Sequence, residues 1–311
     1  MMLRRVVITG ATSMLGISLM NYLLSQGVEK ILAICSPGST RIKNIPKHSC
    51  IQIIQGDLAY LEDIKQVIRS EYEIFYHFAW IGTQAKTRNN IKVQMKNIGY
   101  TLDALRLAKE LGCKTFVGAG SQAEYGIWEK PLSEETPTCP QDAYGFAKYM
   151  AGRLSQFYAK EIGMQHMWVR VVSIYGPHDR KDTMIMSTLK QLLATGQAAF
   201  TKGEQIWDYL YEDDAARAMA LIGSRGKPGS IYVLGSGKAY SLKQYIEEMI
   251  EVLGKGHTAK FGEIPYKADA KMYICADITK LTEDTGFLPQ IAFKEGISET
   301  VKALCKEEYH E

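Results

Sequence analysis

The sequence predicts a doubly wound α/β fold, a parallel sheet covered by helices on both faces, followed by a smaller region. Three observations carry this. Short β-branched apolar runs alternate with helical stretches from residue 4 to about 174. Those runs are apolar almost throughout rather than at every second position, as strands buried on both faces are. Each pair of runs is separated by a helical stretch, and right-handed crossovers then make the sheet parallel.

Residues 4–9 (RRVVIT) read as the first strand, GATSMLG follows at 10–16, and ISLMNYLLSQ is a helix that stops at Gly27. KILAIC at 30–35 is the second strand, closed by Ser36-Pro37-Gly38-Ser39. IQIIQ at 51–55 is the third, ending at Gly56-Asp57, and a helix around 60–70 leads to the strand IFYHFA at 74–79. A long helix at about 90–111 stops at Gly112. The strand KTFVGA at 114–119 leads through a loop to a helix at about 142–162, and HMWVRVVSI at 166–174 is the sixth strand. Beyond Gly176-Pro177 the alternation loosens. Helices at about 183–194, 241–253 and 293–306, and a short strand near 231–234, are separated by Gly- and Pro-rich loops. This part reads as a second region rather than more of the sheet. The division is drawn as residues 1–176 and 177–311, with some return crossing to the first.

Totals narrow the function classes. The chain has 311 residues, 46% apolar and 23% charged, ordinary for a soluble globular protein. A net charge of +3 is too small to argue for nucleic acid or a membrane surface. No apolar run approaches the roughly 18 residues of a membrane span. The six cysteines (35, 50, 113, 139, 275, 305) form no CxxC pair, so reduced thiols in a cytoplasmic protein are expected, with neither zinc nor a disulfide framework. The first strand begins with no signal-peptide apolar segment before it.

Thr9-Gly10 to Gly16 lies between a strand and a helix, where a dinucleotide loop belongs. Glycines there let the backbone approach a pyrophosphate, and the helix N-terminus favours its charge. An acidic residue about 20 positions on would take the ribose 2′-hydroxyl of NAD. The second strand ends instead in Cys35 and Ser36, with Ser39 and Arg41 close behind. A hydroxyl and a guanidinium suit a 2′-phosphate, so NADP(H) is favoured and NAD(H) remains possible. Asp57 either accepts from the adenine amino group or caps the helix near residue 60.

Residues 113–149 hold the reactive candidates. Tyr144 and Lys148 are four apart on a helix and share a face, and Ser121 sits at the preceding strand's exit. Reducing a ketone places negative charge on oxygen, which a proton donor and a second hydrogen bond stabilise. Free tyrosine titrates near about 10, and a lysine one turn away is expected to lower that.

Eight segments together resemble the extended short-chain dehydrogenase/reductases, the NAD(P)-dependent epimerase/dehydratase family acting on nucleotide sugars. They are TGATSMLG at 9–16, GDL at 56–58, YHFAW at 76–80, KNIGYT at 96–101, GSQAEYG at 120–126, YGFAK at 144–148, VRVVSIYGP at 169–177 and IWDYLYEDDAARA at 206–218. The glycine spacing is similar to that family's GxxGxxG, with Ser13 at the middle glycine. The resemblance implies a Rossmann-type domain, a C-terminal substrate domain and a homodimer through the long helices at about 90–111 and 142–162. It implies Tyr144 as acid/base, Lys148 as its partner and Ser121 on the substrate oxygen. The cofactor would lie against Gly10, Thr12, Ser13, Met14, Leu15, Gly16, Ser36, Arg41, Asp57, Leu58, Phe78, Ala79, Trp80, Asn97, Tyr144, Lys148 and Val171, with His77 beside it. Trp80, Gln122, Ser173, His178, Arg180, Trp207 and Tyr211 are the substrate-side candidates.

Departures from the family pattern bear on the reaction. Ser173 stands where many relatives have Asn. Trp207 stands where many have a phosphate-binding Arg, leaving Lys202, Arg180 or Lys271 for that task; Trp207 either stacks on a base or covers core. Trp80 replaces a small alanine. The Asp-Glu pair that dehydratases carry after the Ser/Thr is absent: Gln122-Ala123-Glu124 stands there, and Glu124 reads as structural. His178 is a substrate contact or a solvated loop histidine. Asp213-Asp214 open a helix, which explains them without a metal. The leading expectation is an NADPH-dependent reductase of the C4 ketone of an NDP-4-keto-6-deoxyhexose. The alternatives are an NDP-hexose 4-epimerase with tightly bound NAD and, remotely, a non-catalytic dinucleotide-binding protein.

Overall fold

The computed structural model describes residues 4–68, 70–266 and 270–308. The first half runs β1 (Arg5–Thr9), α1 (Met14–Ser25), β2 (Lys30–Cys35), β3 (Ile51–Gln55), α2 (Leu61–Val67), β4 (Ile74–His77), α3 (Ala85–Arg88), α4 (Ile91–Glu110), β5 (Thr115–Ser121), α5 (Ala143–Glu161), β6 (Gln165–Val171) and β7 (Ile174–Tyr175). The second half runs α6 (Met184–Thr195), β8 (Gln197–Phe200), β9 (Ile206–Trp207), β10 (Leu210–Tyr211), α7 (Glu212–Arg225), β11 (Ile231–Leu234), β12 (Tyr240–Ser241), α8 (Leu242–Leu253), β13 (Thr258–Phe261), α9 (Thr279–Thr285) and α10 (Phe293–Glu308).

Seven strands form one parallel sheet in the order β11-β6-β5-β4-β1-β2-β3. Central strands such as β1 and β4 are apolar on both faces because helices cover both. Helices α1 and α7 pack against each other on one face, and α4 packs on α2 and α5 on the other. The order reverses between β1 and β4, so α1 leaves the sheet on the opposite face from the helices beyond β4. That opens a crevice at the strands' carboxyl ends.

The strand at 231–234 supplies the expected return crossing, as part of the main sheet rather than of a separate region. It pairs with β6 and extends the main sheet, and α7 beside it covers α1. The return crossing to the first region is therefore a full strand and helix. What stays apart is a lobe of α6, α8 and α10 with the parallel pair β8–β13, closed around Tyr175, Leu189, Ile246, Met249 and Ile297. β8, β13 and α9 are not announced by the sequence. The fourth strand is shorter than its apolar run: β4 ends at His77, and Phe78 and Ala79 turn out over the crevice.

Candidate active site

The exits of β1 and β4 and the start of α1 form one wall of the crevice. Gly10 has φ +68°, and a Cβ there would stand 2.6 Å from the Ala79 backbone nitrogen. Glycine alone meets both demands. At Gly16 a Cβ would stand 2.6 Å from the Gly10 carbonyl oxygen, so this glycine lets α1 lie close on the loop. Ser13, at the family's middle glycine, caps α1 by accepting from the Gly16 N–H at 3.1 Å.

Gly10, Thr12, Ser13, Met14, Ser36, Arg41, Asp57, Leu58, Phe78, Ala79 and Trp80 line a cavity of about 390 Å³. The N-terminus of α1 opens into it, with N–H groups and the positive end of the helix dipole available for a pyrophosphate. These residues suit a dinucleotide. Asp57 has both expected roles open to it: it lines the cavity and accepts from the Ala59 N–H at 2.9 Å. Arg41 lines the cavity too, yet its guanidinium donates to the His178 carbonyl. His178 is no free loop histidine. Its Nδ1 lies 2.5 Å from Glu212 Oε1. Burial alone would lower the imidazole, but the bond to the Glu212 carboxylate and its charge hold it above its usual value.

Several expected cavity residues lie elsewhere. Leu15 and Val171 pack against the core beneath, and Gly16 is a packing glycine. Asn97 is buried, with its side chain bonded to both the N–H and the carbonyl of Ile81 at 2.9 Å. It shapes the loop after β4. His77 is buried and bonds Thr9 Oγ1 at 2.8 Å, locking β4 to β1.

Ser121, Tyr144 and Lys148 do converge. Ser121 ends β5, its hydroxyl is near enough to the Tyr144 phenol to act against the upward push of burial on that group, and it accepts from the Ala123 N–H at 3.2 Å. Asp142 caps α5, accepting from the Gly145 N–H at 2.6 Å, which sets Tyr144 in the first turn and Lys148 in the next. Lys148 Nζ donates to the Ala119 carbonyl at 2.6 Å and stands 3.7 Å from the Trp80 ring centroid. Burial pushes this ammonium down to about 7, against partial support from Glu124.

The electrostatics of Tyr144 differ from expectation. Burial raises its phenol above the usual value. The leading opposing influences are the Ser121 hydroxyl and the charge of Arg88, whose guanidinium lies 4.0 Å over the ring. Lys148 Nζ is 5.8 Å from that ring. Arg88 is held by Asp142 at 2.7 Å and has no sequence motif to announce it.

Beneath the site, Glu124 is buried and accepts from Ser121 N–H at 2.8 Å, Trp168 Nε1 at 2.9 Å and Arg170 Nε at 2.8 Å. This agrees with a structural role. On the far side the expected substrate residues are engaged with neighbours. Gln122 accepts from Lys271 Nζ at 2.9 Å, and Trp207 Nε1 donates to Ser173 Oγ at 2.8 Å. Arg180 lines the dinucleotide-sized cavity and bonds Thr83 at 3.3 Å. Lys202 is exposed. Tyr211 is buried against Tyr175 in the C-terminal lobe. Among the described residues, no group of three or more His, Cys, Asp or Glu side chains is placed to hold a metal ion. No described helix is long and apolar enough to cross a membrane.

The sequence model of the NAD dependent epimerase/dehydratase family matches residues 6–235, from β1 through β11. The chain belongs to that family. It is therefore an enzyme of an NAD-dependent family. A UDP-glucuronate 4-epimerase of Thermodesulfobacterium geofontis is 28% identical over 309 residues, covering 95% of this chain and 94% of that one. A human dTDP-D-glucose 4,6-dehydratase is 24% identical over 282 residues, covering 86% and 79%. Among solved structures, a UDP-N-acetylglucosamine 4-epimerase of Methanobrevibacter ruminantium M1 has the same fold, with TM-score 0.87, 21% identity and coverage of 99% and 100%. So does a dTDP-glucose 4,6-dehydratase of Streptomyces venezuelae solved with NAD bound, with TM-score 0.86, 19% identity and coverage of 98% of both chains.

Proposed function

We propose that this enzyme reduces the C4 ketone of a nucleotide-linked 4-keto-6-deoxyhexose, with Tyr144 as proton donor, Ser121 as second donor to the same oxygen and Lys148 as their cationic partner. The observation that carries it is the convergence of those three side chains at the edge of a dinucleotide-sized cavity, with Trp80 between. A nicotinamide cofactor bound in that cavity would supply the hydride. The chain's own part is to bind, dry and polarise the carbonyl. As negative charge grows on the ketone oxygen, the Ser121 hydroxyl donates to it and the Tyr144 phenol transfers its proton. The raised phenol suits that direction, because it stays protonated at neutral pH and is an acid ready to give.

Loss of water is disfavoured by the same geometry. The position after Ser121 is an amide held by Lys271, and the nearby carboxylate, Glu124, is buried under three donors. An NDP-hexose 4-epimerase is the second reading, favoured by the 4-epimerase names of the relatives at 28% identity and TM-score 0.87. NADP(H) is the favoured cofactor of the reductase, supported by the lack of a carboxylate at the end of β2 and by Arg41 in the cavity wall. The substrate side is assigned to the segments after residue 176 that stand outside the sheet.

A second copy is proposed to cover α4 and α5, whose Ile91, Met95, Phe146, Met150 and Phe157 are exposed. Light scattering should then report a dimer that Phe157→Asp disrupts.

One experiment separates the reactions. The purified protein is assayed for retained dinucleotide, then mixed with NADPH or NADH and NDP-4-keto sugars, with UDP-glucose alongside. Stoichiometric oxidation of NADPH supports the reductase. Conversion of UDP-glucose to UDP-galactose without net cofactor loss overturns it in favour of the epimerase.

A further inference from the structure

Trp80 is the large aromatic side chain that both lines the cavity and touches Tyr144 and Lys148. Its ring is fixed from outside the site. The indole Nε1 donates to Gln94 Oε1 at 2.9 Å, and Gln94, buried in α4, donates in turn to the Gly82 carbonyl at 2.7 Å. With its N–H tied to α4, the indole turns one face to Lys148 Nζ, 3.7 Å from the ring centroid. Its edge meets the Tyr144 ring at 5.9 Å and 79°.

The other groups around that ammonium leave this face a task. From β5 comes the Ala119 carbonyl, which takes one N–H at 2.6 Å. From the turn after β5 comes the Glu124 carboxylate, already accepting from three donors. From β4 comes His77, whose imidazole burial pushes down to about 3, so it is neutral and offers no charge. From β6 comes the Trp168 ring, farther off at 5.9 Å, and from α5 the Tyr144 ring at 5.8 Å. An ammonium without a dedicated carboxylate, removed from water, gains most from an aromatic face in contact with it.

We propose that Trp80 is a positioning residue whose indole face, held in plane by Gln94, keeps Lys148 cationic and seated beside Tyr144. This rests on the reading of Lys148 as the partner of Tyr144 in catalysis, but its test does not require turnover. The full chain, labelled with ¹³C,¹⁵N-lysine, is titrated by NMR without cofactor or substrate, the Lys148 signal being assigned by its loss in Lys148→Met. Trp80→Leu keeps the site apolar and removes the aromatic face, while Trp80→Phe keeps a face and gives up the bond to Gln94. The Lys148 midpoint should fall by about one pH unit in Trp80→Leu, roughly a tenfold loss in the ratio of charged to neutral amine, and should stay close to the parent's in Trp80→Phe. An unchanged midpoint in Trp80→Leu, or equal falls in both variants, overturns the proposal.

If Trp80→Leu does not fold, the parent-minus-Trp80→Phe fluorescence difference serves instead. It should change with pH at the Lys148 midpoint, and a flat difference overturns the proposal. Full turnover in Lys148→Met would sink the catalytic reading separately, leaving the titration to decide the role of Trp80.

Discussion

The glycine loop and the Tyr144 pocket lie a few residues apart across Trp80, and they are built on opposite principles. In the loop the backbone does the work: Gly10 and Gly16 are there because nothing larger fits, and Ser13 closes the helix end. Apart from the approach of Ala79 to Gly10, its properties follow from short-range geometry. In the pocket the backbone only delivers side chains, and each one's chemistry is set by others far away in sequence. Tyr144 is governed by burial, Ser121 and Arg88, and Lys148 by burial, Glu124 and Trp80. Damage to the loop should therefore appear in binding and folding, whereas damage to the pocket should appear in rate or in pH dependence.

The sharpest separation is expected from Tyr144→Phe. Turnover should fall by about 10²–10⁴-fold, the range for a positioned general acid, while dinucleotide affinity and melting temperature stay near the parent's. A variant that turns over normally removes Tyr144 from the chemistry, and one that loses dinucleotide binding instead would dissolve the contrast between the two regions. Next comes Glu124→Gln, which strands the Arg170 guanidinium beneath the pocket. Breaking a buried pair from one side costs about 3–5 kcal/mol, so urea denaturation should show a loss of that order. Gly10→Ala follows. Its positive φ alone carries strain of order 1–3 kcal/mol, and the contact with Ala79 adds to it. NAD titration should show binding weakened beyond tenfold, and preserved binding would mean that the loop is not the pyrophosphate site.

The contrast also sets what can be read from sequence. Ser13 and Gly16 are legible because their job is finished within one turn of α1, and Gly10 because its positive φ is a local demand. The alternation of apolar runs reveals six of the seven sheet strands, since burial on both faces leaves a local mark. The seventh, β11, is only four residues long, and nothing in Ile231–Leu234 says that it seats beside β6, which ended 60 residues earlier. Arg88 shows the same limit in the site. It sits in a four-residue helix with no periodicity, and its partner Asp142 is 54 residues on. Asn97 and His77 show a different limit. Their motifs are visible, but buried hydrogen bonds to Ile81 and Thr9 turn both inward. Family motifs thus locate such residues without saying which side of the wall they face.

Lys148→Met tests the pocket by its weakest and most telling signature, a gain of stability. The ammonium titrates at about 7 in the folded protein because burial disfavours the charge, whereas an unfolded lysine titrates near about 10.4. Between those values the unfolded chain holds a proton that the folded chain has released, so this group's contribution to stability improves as pH rises. Below about 7 both states are protonated and the full cost of burying the cation stands. Methionine removes that cost and gives up the bond to Ala119 and the Trp80 face, leaving a net gain on the order of 1 kcal/mol below neutrality. Urea denaturation at low pH should therefore favour Lys148→Met, and its advantage should shrink steadily as pH rises toward about 10. An advantage that does not vary with pH would mean that Lys148 is not a strained cation. The Tyr144 pocket would then be held by packing alone, as the glycine loop is.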